Sequence, residues 1–96
     1  MTAEQAQRAY RAKLGRVKAR VAFMERNSVS ITAMAVHLQA HREADRPCPV
    51  QGTHDGDTYT RTLTRAELYQ NQLIDLAVDL TMDGCTPTPP QHPPHP

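Results

Sequence analysis

The chain of 96 residues has no tryptophan, one phenylalanine (Phe23) and three tyrosines (Tyr10, Tyr59 and Tyr69). Any core must therefore be built from Leu, Val, Ile, Met and Ala, a palette that suits helices. The sequence also lacks an apolar run of the ~18–20 residues that would span a bilayer, and no charged, apolar, small-residue leader precedes it. The expectation is a cytoplasmic protein. There the two cysteines, Cys48 and Cys85, stay reduced. Glycine-rich phosphate loops, a Gly-x-Ser-x-Gly elbow and paired carboxylates in an apolar setting are all missing, so the sequence argues against an enzyme.

Charge is nearly balanced in total but not along the chain. Residues 1–26 carry seven Lys/Arg against Glu4 and Glu25, and residues 27–96 carry four Arg against eight Asp/Glu. Either the two halves neutralise each other or the basic part meets an anionic partner.

Thr2-Ala3-Glu4-Gln5 has the form of a capping box, and good helix formers follow to about Arg26. Tyr10, Leu14, Val17, Val21 and Met24 recur at steps of 4, 3, 4 and 3, which places them on one stripe. Ala12, Gly15, Ala19 and Ala22 form a second stripe of small residues. Asn27 to Ser30 interrupts the helix. A second helix over residues 30–44 presents Ile31, Met34, Ala35 and Leu38, and so short a turn predicts antiparallel packing of the two helices. Arg46-Pro47-Cys48-Pro49 ends it.

Threonine and tyrosine on either side of His54-Asp55-Gly56-Asp57 predict a β-hairpin. Thr64-Arg65-Ala66-Glu67 is a second capping box, opening a third helix over residues 65–82 that faces inward through Tyr69, Leu73, Leu76, Ala77 and Leu80 and ends at Gly84. The expected fold is a small, mainly α domain over residues 1–85, ordered helix–helix–short β-hairpin–helix. A disordered Pro/His tail over residues 86–96 holds six of the eight prolines. Predicted buried positions are Tyr10, Leu14, Val17, Val21, Ile31, Met34, Leu38, Leu63, Tyr69, Leu73, Leu76 and Leu80.

Two surfaces are candidates for function. The first is the basic helix: Lys13, Arg16 and Arg20 form one cationic row, and Arg11 and Lys18 another, placed to meet nucleic acid or an acidic partner. The second is surplus apolar surface at Phe23, Ile74 and Val78, which predicts contact with a protein partner or pairing of two copies in a homodimer. A DNA-reading helix-turn-helix is disfavoured: the turn lacks glycine, and the second helix offers only Gln39 and Arg42 before acidic Glu43 and Asp45. His37 and His41, spaced i,i+4, can chelate a metal, but the sequence shows no third ligand, so no metal and no cofactor are expected.

The function expected is that of a small non-enzymatic binding protein. It would act as a regulator or inhibitor by docking on a protein or nucleoprotein partner through the basic N-terminal helix. A second expectation is a sequence-independent nucleic-acid-binding regulator. The chain's proportions are also those of small accessory proteins with which phages and mobile elements block a host defence machine.

Overall fold

In the computed structural model, which describes residues 2–88, the chain is mainly α and follows the expected layout. Helix α1 spans Ala3–Arg26 and α2 spans Ser28–Glu43. Strands β1 (Cys48–His54) and β2 (Asp57–Leu63) form the hairpin. Two helices follow, α3 (Arg65–Gln70) and α4 (Leu73–Met82), then a short strand β3 (Thr86–Pro87).

Local chemistry accounts for most of the boundaries. Both capping boxes form. Thr2 accepts from the Gln5 amide at 3.1 Å while Gln5 Oε1 accepts from the Thr2 amide at 3.0 Å, and Thr64 and Glu67 repeat the pattern. At the other end of the domain Gly84 has φ +81°. The Cys85 amide donates to Leu80 O at 2.9 Å and the Gly84 amide to Thr81 O at 3.1 Å, a Schellman stop for α4. The hairpin turns on Asp55 (φ +49°) and Gly56 (φ +83°), both left-handed, as a two-residue type I′ turn demands.

The sheet runs β2-β1-β3, antiparallel throughout. Thr86 and Pro87 pair with Gln51 and Val50, and Thr88 Oγ1 donates to Pro49 O at 3.1 Å. The ordered fold therefore continues past Cys85, where the sequence placed its end. The rest of the expected tail, residues 89–96, lies outside the described residues.

Gly52 sits opposite Tyr59 in the β1–β2 register, with the tyrosine ring laid over its Cα. A Cβ at position 52 would overlap Cζ and Oη of that ring. Gly52→Ala should therefore cost about 1–3 kcal/mol, the range for overpacking a tight contact. A thermal melt checks this, and a variant as stable as the parent would show that the Tyr59 ring is free to leave.

One core forms between α2, α4 and the sheet. Ile31, Met34 and Leu38 from α2 meet Ala77, Val78 and Leu80 from α4, with Cys48, Val50, Leu63, Leu68 and Cys85 closing the sides. The expected single third helix is in fact two. In an unbroken helix Leu68 would point about 160° away from the centre of the α4 core face, at ~100° per residue. Extended backbone at Asn71 (φ −115°, ψ 150°) re-aims α3 so that Leu68 is buried as well. The Asn71 side chain covers the freed end by donating to Glu67 O at 2.7 Å. The same break swings Tyr69 out of the core, contrary to expectation. Its hydroxyl donates to Arg42 O and Asp45 Oδ1, and the Arg42 guanidinium lies 5.2 Å from the ring centroid. Leu73 and Leu76 are partly buried against the core.

The largest departure is α1. A single residue, Asn27, separates it from α2. One residue cannot reverse the chain into an antiparallel helical hairpin. α1 instead runs outward for about 36 Å at 1.5 Å per residue, and the molecule measures 69 × 30 × 23 Å. No α1 residue is buried. Its C-terminal end packs on the core through Phe23 and Met24. Met24, the last member of the predicted stripe, docks together with Phe23 from outside it, and Tyr10, Leu14, Val17 and Val21 stay exposed because α1 runs out beyond the body.

Candidate functional site: the first helix and a histidine–cysteine cluster

Tyr10, Leu14, Val17 and Val21 are 67%, 38%, 50% and 47% exposed. These four residues, expected in the core, line the free face of α1. At ~100° per residue, Arg11 and Lys18 border the stripe on one side and Lys13 and Arg20 on the other, with Arg16 beyond them. Arg11, Lys13, Arg16 and Lys18 are exposed and form no ion pair among the described residues. The arm thus presents an apolar seam edged by cations.

Arg20 is committed elsewhere. Its guanidinium donates to Asp79 Oδ1 at 2.7 Å and lies 3.7 Å from Asp75 Oδ1. The hydrogen bond it donates to Asp79 is the main cause holding its pKa above the ordinary arginine value. In this way the acidic face of α4 neutralises the root of the basic helix. Of the three apolar contact residues expected from sequence, Ile74 alone is exposed. Val78 is fully buried, because α4 turns that side toward the core, and Phe23 anchors α1.

No protein-family model matches this chain. Comparisons with curated proteins and with solved structures likewise find no match.

At the far end of α2 a second group of residues converges. His37 and His41 stand one turn apart, ring centroids 4.5 Å from each other. The turn through Ala44, Asp45 and Arg46, with Asp45 at φ +52° and the Arg46 amide bonded to His41 O, brings Cys48 back beside them. One ring nitrogen from each histidine and the Cys48 sulfur lie within 4.8 Å of one another. A backbone carbonyl can only accept, so His37 Nε2 donates to Pro49 O at 2.7 Å and His41 Nδ1 donates to His37 O at 2.9 Å. Burial raises the Cys48 thiol to about 11, with the Arg46 charge opposing the shift. Desolvation outweighs the Arg46 charge, so the sulfur is a protonated, unreactive thiol at neutral pH. Cys85 is likewise buried and free. The helical pair was legible in the sequence; the third member, seven residues beyond His41, is supplied by the fold.

Among the described residues no helix is long and apolar enough to cross a membrane.

Proposed function

We propose that the chain is a non-enzymatic docking protein whose α1 arm engages a partner groove that is apolar along its floor and acidic at its rims. The observation that carries this reading is the exposed Tyr10–Val21 seam on a helix with no buried residue. An amphipathic helix held away from its own core matches the helix-in-groove mode of recognition, whose anchors recur at steps of 3 and 4 as Tyr10, Leu14, Val17 and Val21 do. Cations on both edges of the seam favour carboxylates around the groove and disfavour a basic one. The compact α2–α4–sheet body then serves as the base that carries the arm. Regulation or inhibition by occupying a partner's surface is the activity such a design supports.

The apolar seam favours a protein surface over bare nucleic acid. With Arg20 paired to Asp79 and Asp75, the cationic row of Lys13, Arg16 and Arg20 is left with two free members, Lys13 and Arg16. If α1 does bind duplex DNA, the slope of log K against log salt should be close to −2, following about −0.9 per phosphate. A steeper slope, −3 or beyond, would bring a third cation onto the nucleic acid, either Arg20 with its ion pair open or the Arg11–Lys18 edge.

Capture of partners from nuclease-treated and untreated lysate, with the parent chain and with a Leu14→Glu, Val17→Glu double variant, tests the reading. A partner retained after nuclease and lost with the variant supports it. Partners that vanish with nuclease and ignore the variant contradict it.

A further inference from the structure

We propose that His37, His41 and Cys48 bind one zinc-class divalent cation, a site independent of the docking role of α1. Two imidazoles and one thiolate suit a late first-row cation, and magnesium or calcium would demand oxygen donors. A four-coordinate ion with bonds of ~2.0–2.3 Å holds its ligand atoms roughly 3.3–3.8 Å apart. The three donors already lie within 4.8 Å, so closure needs side-chain movements of roughly 1 Å.

The surroundings of the three residues support the assignment. Each histidine is held by a backbone carbonyl, His37 by Pro49 O and His41 by His37 O. In metal centres such second contacts fix the tautomer and the ring plane of a ligating histidine. Nδ1 of His37 and Nε2 of His41 are the ring nitrogens without such a carbonyl contact. Cys48 is fixed between Pro47 and Pro49, at the first residue of β1, where backbone freedom is least. His37 and His41 are partly exposed and Cys48 is buried, so an ion can enter from the histidine side. On binding, the sulfur gives up its proton to solvent and bonds as thiolate. Three protein ligands leave a fourth position for water or for a side chain of a docked partner. The ion would tie α2 to β1 across the turn at Asp45.

Cobalt is the probe, because a thiolate ligand gives Co²⁺ a charge-transfer band. The full chain, stripped with chelator and kept reduced, is titrated with Co²⁺ and followed in the near ultraviolet and visible. The expected result is saturation at one ion per chain with a one-thiolate charge-transfer band, displaced by one equivalent of Zn²⁺. The band should survive Cys85→Ser and disappear in Cys48→Ser. His37→Ala and His41→Ala should each weaken binding by at least about tenfold. Zn²⁺ at a hundredfold excess over its dissociation constant should raise the melting temperature by about 10 °C or more, and at the same Zn²⁺ the His41→Ala chain should show about half that rise or less. The proposal is overturned if no saturable thiolate band forms, if the band follows Cys85, or if both histidine variants bind as the parent does.

Discussion

Leu38→Ala should lower the stability of the domain by about 2–5 kcal/mol, the range for deleting a fully buried leucine side chain, whereas Leu14→Ala should change it by less than about 0.5 kcal/mol. Leu38 is 0% exposed at the centre of the α2–α4 contact. Leu14 stands on the free seam of α1, where alanine is at least as good a helix former. Domains this small hold little stability in reserve, so the Leu38 variant should be largely unfolded at physiological temperature. Paired urea titrations read both effects. Equal losses for the two variants would mean that α1 is folded back on the core.

The second large effect concerns binding. Leu14→Glu with Val17→Glu should weaken the partner complex by about 100-fold or more, since central apolar anchors each contribute on the order of 2 kcal/mol. Glutamate keeps helix propensity high, so circular dichroism and the melting temperature of the free chain should hardly change. Two added carboxylates would also repel an acidic groove rim, which sharpens the contrast with the cationic edge that Arg11, Lys13 and Lys18 provide. Calorimetric titration of the captured partner with parent and variant measures the difference. An affinity that survives the double substitution would move the contact to another surface, such as the exposed Ile74 side of α4 or the hairpin.

What could be read from the sequence separates along physical lines. Signals confined to a few neighbouring residues were legible: both capping boxes, the Asp55-Gly56 turn and the Gly84 stop appear where the local chemistry puts them. The Ile31–Met34–Leu38 face was also legible, because α2 is flanked by elements that cover it. The α1 stripe has equally good periodicity. Periodicity, however, defines a face and not what lies against it. Only the last turn of α1, through Phe23 and Met24, meets the core, and the rest of the stripe extends past it. The break at Asn71 and Gln72 carries neither glycine nor proline. It arises because Leu68 and the Ala77–Leu80 face cannot both point inward from one straight helix, a tertiary demand that local propensity does not encode. The His37–His41 pair was visible as a spacing, and Cys48 became its neighbour through the turn at Asp45.

Hydrogen exchange on the monomeric full chain tests most directly whether α1 is a free docking arm. The 24-residue α1 has no buried residue and so lacks the tertiary packing that supplies most helical stability in proteins. Amides of residues 6–19 should therefore exchange with little protection, while those of α2 and α4 approach the protection set by global unfolding. Addition of the partner should slow the α1 amides and leave the core amides unchanged or slower. Protection across residues 6–19 equal to that of α2 in the unbound monomer would contradict the account, because it would make α1 part of the folded core.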